Sequence, residues 1–227
     1  MDIESLRAGK VLLIDKALDW TSFDVVNKLR YAILKKYNLK KFKVGHAGTL
    51  DPLATGLLIV CVGKATKTIQ QFQNLDKEYT GTFYLGATTP SYDLETGVNQ
   101  YFETEHITEE LICKTAESFV GKSLQIPPIF SAIKKDGKKL YEHARKGQKV
   151  DIKAREIEIK EFEILSVNLP EVLFRVKVSK GTYIRSLAYD FGKSLQSGAY
   201  LSALRRTKIG DFSVDNAKDV QDWIEQL

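Results

Sequence analysis

The chain has 227 residues, 43% of them apolar and 28% charged, and its net charge is +5. These values are typical of a soluble globular protein with a hydrophobic core, in one large domain or two small ones. They also argue against a membrane protein, because no apolar run reaches the roughly 18–20 residues that a membrane span requires. The charged N-terminus, MDIESLRAGK, is unlike a signal or transit peptide.

The first half of the chain contains predicted strands and helices with recognisable boundaries. Residues 11–18, VLLIDKAL, predict a strand. Residues 22–39 predict a helix, because apolar side chains recur at helical spacing after Ser22, a candidate N-cap. Thr66 and Thr108 are candidate caps of two further helices, the second ending near Gly121. The other predictions in this half are strands at 57–63 and 77–86 and a turn-rich connection at 88–97.

The second half is dominated by a predicted hairpin. Residues 155–165 and 172–181 alternate in polarity on either side of a turn, NLPE. Predicted after the hairpin are a helix at 183–195, a helix turn and strand within 200–212, and a helix at 217–227. Adjacent strands form hairpins, and strands and helices do not alternate strictly. The sequence therefore predicts an α+β fold around a mainly antiparallel mixed sheet flanked by helices.

Positive charge is concentrated in one stretch. Residues 131–155 hold nine basic and three acidic residues, so this stretch alone carries +6. A local excess of this size suits a polyanion such as nucleic acid, and it equally suits a solvated lysine surface.

Two common kinds of cofactor site are not expected. The segment GLLIVCVGKAT does not match a phosphate-binding loop. Leu58 stands where a glycine is needed, and Ala65 stands where Ser or Thr would contact magnesium. No metal site is expected, since the three histidines are isolated and no Cys-x-x-Cys spacing occurs. Cys61 and Cys113 are expected to be buried free thiols.

The segment GHAGTLDPLATGLL, residues 45–58, holds a single carboxylate, Asp51, among small residues. Asp51 followed by Pro52 is by itself typical of a turn. The glycines at 45, 48 and 56 allow close backbone approach, so the segment can press the carboxylate against a planar ligand. A glycosidase that uses a second, distant acid remains open at this point.

This segment resembles the TruB family of tRNA pseudouridine synthases, together with KEYTGTFYLG, QIPPIFSAIKKDGKKLYEHARKG, SKGTYIRSLAYDFG and ALRRTKIGDF. The resemblance runs from about Gly9 to Phe212. It implies the pseudouridine synthase fold and isomerisation of the uridine at position 55, in the T-loop of tRNA, without metal or cofactor. Ala17 stands where the family often has proline, which affects loop stiffness more than chemistry.

The resemblance also assigns roles to individual residues. It makes Asp51 the essential carboxylate, which either attacks the nucleotide covalently or removes a proton at C2′. His46 would fill space or hold the loop as the uridine flips out. Tyr79 would stack on the flipped base, Arg185 would pair with the catalytic aspartate, and Leu204 would form an apolar wall of the pocket.

Residues 124–150 correspond to the family's RNA-binding insertion, the thumb. Its cationic side chains would contact phosphates, and its flat side chains would contact bases. The candidate RNA-binding residues are Lys134, Lys135, Lys138, Lys139, Tyr141, Arg145 and Lys146.

We therefore expect one catalytic domain over residues 1–227, without the C-terminal PUA domain of many family members. We also expect a cytoplasmic monomer whose partner is tRNA, through its T-arm and T-loop. Two other functions remain open: an RNA chaperone that does not modify tRNA, and a nucleoside or glycoside hydrolase that uses Asp51 with another acid.

Overall fold

The computed structural model describes residues 1–135, 137–148 and 150–227, so Asp136 and Lys149 of the basic stretch lie outside the described residues. The described helices are α1 (Ile3–Ala8), α2 (Ser22–Lys36), α3 (Ile69–Gln73), α4 (Glu109–Ser118), α5 (Leu140–Ala144), α6 (Ile184–Ser194) and α7 (Val220–Glu225). The described strands are β1 (Lys10–Lys16), β2 (Val44–His46), β3 (Ala54–Val62), β4 (Lys77–Leu85), β5 (Ala87–Thr88), β6 (Gln100–Tyr101), β7 (Gly121–Gln125), β8 (Lys134–Lys135), β9 (Lys138–Lys139), β10 (Arg155–Asn168), β11 (Glu171–Val178), β12 (Ala199–Ile209) and β13 (Phe212–Ser213).

The chain divides into two compact units. The first unit comprises Met1–Thr80 and Leu204–Leu227, and the second comprises Gly81–Ala203. Strands β4 and β12 contribute residues to both units because each crosses a boundary between them.

In the first unit the strand order is β1-β3-β12-β4, with β2 also paired to β3 and β13 to β12. Strand β3 is buried along its whole length except Thr55, because apolar clusters cover both of its faces. One cluster contains Leu58, Val60 and Val62 together with the apolar side of α2. The other contains Leu57, Ile59 and Cys61. This rigid central strand begins three residues after Asp51.

In the second unit the strand order is β12-β4-β11-β10-β7. Its core is aromatic: Phe83 stacks on Phe174 with ring centroids 4.1 Å apart, and Phe162 and Phe191 pack edge-on or tilted against them. Helix α6 contributes Phe191 to this core, and this contact fixes the helix on the sheet.

The predicted α+β class is confirmed, with mainly antiparallel pairing and one parallel pair, β3 with β12. The predicted helices at α2, α4 and α6 and the hairpin β10–β11 are also confirmed. No helix among the described residues is both long and apolar enough to cross a membrane. Both cysteines are free, Cys61 buried and Cys113 only half-buried.

Several predicted details are wrong. No helix turn forms within 200–212, because Ala199–Ile209 is strand throughout. Thr21, not Ser22, caps α2 and forms a reciprocal capping box with Asp24. The Thr66 hydroxyl caps no helix and instead donates a hydrogen bond to the Gly63 carbonyl at 2.7 Å. Helix α4 begins after Thr108 as predicted, but it ends at Ser118, before Gly121.

Candidate active site

The segment that carries Asp51 links β2 to β3 in the first unit. The Asp51 carbonyl accepts a hydrogen bond from the Ala54 amide at 3.1 Å, which closes a tight turn at the start of β3. On the other side of Asp51, the Leu50 amide donates to the Ser22 hydroxyl at 2.8 Å, and this hydroxyl donates back to the Leu50 carbonyl. The Ser22 hydroxyl thus holds Leu50, and the bond to Ala54 holds the Asp51 backbone, while the Asp51 side chain is only half-buried.

Arg206 fixes the same segment from β12. It is 1% exposed, and its guanidinium donates to the carbonyls of Leu57 at 2.7 Å, Gly48 at 3.2 Å and Thr49 at 3.4 Å. The backbone at Gly56 has φ +101°, and a Cβ there would lie 2.3 Å from the Arg206 carbonyl oxygen. A glycine is therefore required where β12 approaches β3.

Lys16, at the end of β1, is a second buried cation beside Asp51. It is 1% exposed, and Nζ donates to the carbonyls of Ala17 at 2.8 Å, Trp20 at 2.6 Å and Pro52 at 3.5 Å. Burial lowers the pKa of Lys16 from 10.5 to about 8, and attraction to Asp51 opposes this shift. Near neutral pH, Lys16 therefore places a positive charge beside the carboxylate.

The other predicted residues of this unit lie on neighbouring elements. His46 ends β2, and its pKa is lowered by burial and by the nearby Arg206, so the imidazole is neutral near pH 7. Tyr79 is buried in β4. Leu204 lies opposite Ala54 in the parallel pairing of β12 with β3. The structure thus places Leu204 next to the turn that carries Asp51, as an apolar wall would require.

Arg185 belongs to the second unit, in the first turn of α6. Its side chain is 6% exposed, and its Nε lies 3.5 Å from Oδ2 of Asp93, which is 8% exposed. Nη1 of Arg185 also donates to the Ser91 carbonyl at 3.3 Å. A buried cation of this kind requires a nearby anion, and Asp93 supplies one. The expected pairing of Arg185 with Asp51 stays a prediction.

The thumb has its own small fold within the second unit. Strands β8 and β9 form a hairpin that leads into α5, and Leu140 at the start of α5 is 1% exposed. Two cations contact the Tyr141 ring, Nζ of Lys139 and the guanidinium carbon of Arg145, each 5.4 Å from its centroid. The hairpin and α5 therefore present flat and cationic groups together, as RNA binding would require.

The predicted start of the thumb at residue 124 includes structural residues. Gln125 is 4% exposed, and its side chain accepts from the Tyr183 amide at 2.8 Å and donates to the Tyr183 carbonyl at 3.0 Å. The Ser186 hydroxyl donates to the Ile126 carbonyl at 2.8 Å. Residues 125 and 126 thus hold the beginning of α6, so a deletion that removes them would disturb this helix.

Sequence reasoning missed Lys16, Arg206 and Asp93. Arg205 and Arg206 are adjacent and alike in sequence, yet Arg205 forms a half-exposed ion pair with Asp15 at 2.7 Å whereas Arg206 is buried. Had 199–209 been predicted as one strand, its two-residue period would have placed Arg206 on the same face as Leu204.

Comparisons with known proteins identify the family of the chain. Residues 35–184 match the TruB family pseudouridylate synthase (N terminal domain). The tRNA pseudouridine synthase B of Flavobacterium johnsoniae is 61% identical, and the match covers 100% of both chains. The chain belongs to the TruB family.

Two solved structures also resemble this TruB family member. They are a Cbf5-Nop10-Gar1 complex, with a TM-score of 0.73 and 31% identity, and an H/ACA RNP bound to a substrate RNA containing 2′-deoxyuridine, with a TM-score of 0.70 and 29% identity. Both matches cover 99% of the chain, which spans only 56% and 55% of the matched chains. The pseudouridine synthase fold predicted from the sequence is thereby confirmed.

Proposed function

We infer that the chain is a tRNA pseudouridine synthase that converts the T-loop uridine at position 55 to pseudouridine, with Asp51 as the catalytic carboxylate. The observation that carries this proposal is the setting of Asp51: a half-buried carboxylate on a turn held by backbone hydrogen bonds, with the buried cation Lys16 beside it. The full-length match to a relative named tRNA pseudouridine synthase B supports the same reaction.

The reaction breaks the N1–C1′ bond of uridine, turns the uracil and joins C5 to C1′. A proton leaves C5 and a proton is found on N1, so no atom is gained or lost overall and no redox step occurs. A single ionised carboxylate suffices, either as a nucleophile that forms a temporary bond to the nucleotide or as a base that removes a proton at C2′. A fixed turn favours both routes, because it holds the reacting oxygen ready.

The substrate uridine must leave its stack to reach Asp51, at a cost of a few kcal/mol. In this proposal Tyr79 stacks on the flipped base, the neutral His46 holds the turn or fills space, and Leu204 forms an apolar wall. Thumb cations and Tyr141 contact the T-arm. The enzyme acts as a monomer in the cytoplasm, where tRNA is found.

The test uses a T-arm hairpin that carries tritium at C5 of the target uridine. We expect the wild type to release tritium and Asp51→Asn to release none, while the variant binds the hairpin with unchanged affinity. Asp19→Asn is a matched control and should stay active: Asp19 is exposed at φ 63°, which asparagine tolerates, and its amide bonds the Pro52 carbonyl.

The same assay separates the alternatives. A hydrolase would liberate free uracil, whereas isomerisation leaves the mass of the RNA unchanged apart from the isotope. A chaperone without catalytic activity would bind and refold tRNA with no tritium release. Wild-type inactivity on a well-folded hairpin would overturn the proposal.

A further inference from the structure

A second concentration of positive charge lies outside the thumb. Residues 25–75 include nine basic residues and one acidic residue, Asp51. The net charge of this stretch is therefore +8. This stretch is about twice as long as the basic stretch at 131–155, so its total positive charge is larger but its charge per residue is lower. The basic residues are Lys28, Arg30, Lys35, Lys36, Lys40, Lys41, Lys43, Lys64 and Lys67.

The fold gathers part of this charge around one pocket in the first unit. The pocket has a volume of about 370 Å³, and five of its eight lining residues are basic while none is acidic. The half-buried ring of Phe42 contributes to its lining and packs against the apolar core below. The lining residues are Arg7, Lys41, Phe42, Lys43, Gly63, Lys64, Thr66 and Lys67.

Backbone contacts between three separate segments hold these cations together. The Gly63 amide donates to the Lys43 carbonyl at 2.9 Å. A Cβ on Gly63 would lie 2.1 Å from the Leu6 carbonyl oxygen, and one on Gly9 would lie 2.5 Å from the Ala65 nitrogen. The end of α1, which carries Arg7, is thus packed directly on the turn after β3. The clustering of charge is a property of the fold and not of side-chain rotamers.

Very little negative charge offsets these cations. Arg7 forms an exposed ion pair with Glu4 at 3.1 Å. Within residues 1–135, 137–148 and 150–227, none of the four lysines of the pocket forms an ion pair. A concave site lined by one sign of charge attracts ligands of the opposite sign, and here the ligand must be an anion.

The pocket and Asp51 lie at opposite ends of β3. Asp51 precedes Ala54 by three residues, and Gly63 follows Val62 directly. A nine-residue strand spans roughly 30 Å at about 3.3 Å per residue. An RNA whose target nucleotide is at Asp51 therefore offers a different segment to the pocket.

We propose that this basic pocket binds backbone phosphates of the tRNA substrate outside the T-arm. The proposal rests on the proposed function, which supplies the polyanion. Phosphates are the ligands that Lys and Arg clusters bind without sequence preference. The pocket would thereby align the whole tRNA while the T-loop reaches Asp51.

The test compares two double variants of the full chain on two RNAs. Lys41→Glu with Lys64→Glu reverses two exposed charges of the pocket, and Lys122→Glu with Lys193→Glu makes the same change in net charge at exposed positions on β7 and α6. For each protein, the dissociation constant is measured over a salt series for whole tRNA and for the isolated T-arm hairpin. Tritium release from the hairpin is measured in parallel.

We expect the pocket variant to bind whole tRNA about tenfold more weakly than the control variant, with a salt slope smaller by about two. Its hairpin affinity and tritium release should equal those of the control. Equal tRNA affinity in the two variants, or an equal loss on both RNAs, would overturn the proposal. Failure of the proposed function is distinguishable, because the wild type would then release no tritium from the hairpin.

Discussion

Arg206 and Gly56 lie opposite one another in the parallel pairing of β12 with β3, and no side chain fits between them. This contact lies two residues beyond Ala54, where β3 begins after the turn that carries Asp51. The same residue anchors the turn, since the Arg206 guanidinium donates to the carbonyls of Gly48 and Thr49 there and to that of Leu57 in β3.

Gly56→Ala should therefore separate the strands and displace Asp51. The positive φ and the backbone clash together cost at least about 2 kcal/mol, which lowers the melting temperature by at least about 4 °C. Gly97→Ala is the control, because a Cβ at position 97 has no atom within 4 Å. Gly56→Ala should lower both the melting temperature and the rate of tritium release, and Gly97→Ala should change neither. Equal melting temperatures for the two variants would contradict this account.

Asp93→Ala tests the buried ion pair of the second unit. The substitution leaves the Arg185 cation buried without that carboxylate, so we expect a loss of about 3–5 kcal/mol in the free energy of unfolding. Glu95→Ala removes the exposed partner of Arg145, 3.7 Å away, and should cost less than about 1 kcal/mol. Denaturant unfolding of both variants gives the comparison. If Asp93→Ala lowers the free energy of unfolding no more than Glu95→Ala does, the ion pair between Asp93 and Arg185 does not stabilise the fold.

Lys16 should make activity and stability respond to alkaline pH in opposite directions. As pH rises through about 8, Lys16 loses its proton and the positive charge beside Asp51 disappears, so activity should fall. Its folded pKa is lower than its unfolded value near 10.5, so the unfolded chain retains the proton more strongly between these pH values. The contribution of Lys16 to folding stability therefore rises with pH across this window.

Lys16→Met isolates both effects. The variant should be less active below pH 8 and should lack the wild type's decline above it. Between about pH 8 and 10.5 the wild type gains folding stability from the deprotonation of Lys16, and the variant does not. The stability of the variant relative to the wild type should therefore fall across this range. Matched pH series of tritium release and of denaturant unfolding provide the data. A wild-type alkaline decline that persists in Lys16→Met would assign that decline to another group.

The thumb should bind RNA through charge and should keep its shape through Leu140. Lys134→Glu with Lys138→Glu alters two exposed side chains, so T-arm affinity should fall while the melting temperature changes little. Leu140→Ala removes a buried side chain and should lower affinity by disordering α5. Titration of the hairpin over a salt series separates the two, because only the lysine variant should reduce the salt slope. An unchanged slope there would argue against phosphate contacts.

The sequence predicted those elements whose own side chains carry a clear period. Helix α2 and the β10–β11 hairpin were predicted because apolar residues repeat at 3.6 and 2 residues. Residues 199–209 were predicted in part as a helix turn, because ALRR is locally compatible with a helix. Residues 199–209 form a strand because they pair with β3 and β4. No local sequence pattern reveals this pairing.

The candidate site divides in the same way. The resemblance supplied Asp51, His46, Tyr79 and Leu204, which lie in recognisable motifs. Lys16 and Arg206 were not predicted, because their burial, which Lys77 and Arg185 share, does not follow from the local sequence. Burial depends on contacts between distant segments, such as Arg206 with Leu57.

The two buried cations hold the Asp51 turn through main-chain carbonyls, which every amino acid possesses. These hydrogen bonds therefore depend little on which side chains occupy the contacted positions. Replacing the exposed side chain of Thr49 or Pro52 leaves the accepting carbonyl of that residue in place. Such a scaffold separates the part of the turn that can evolve from the part that must stay still.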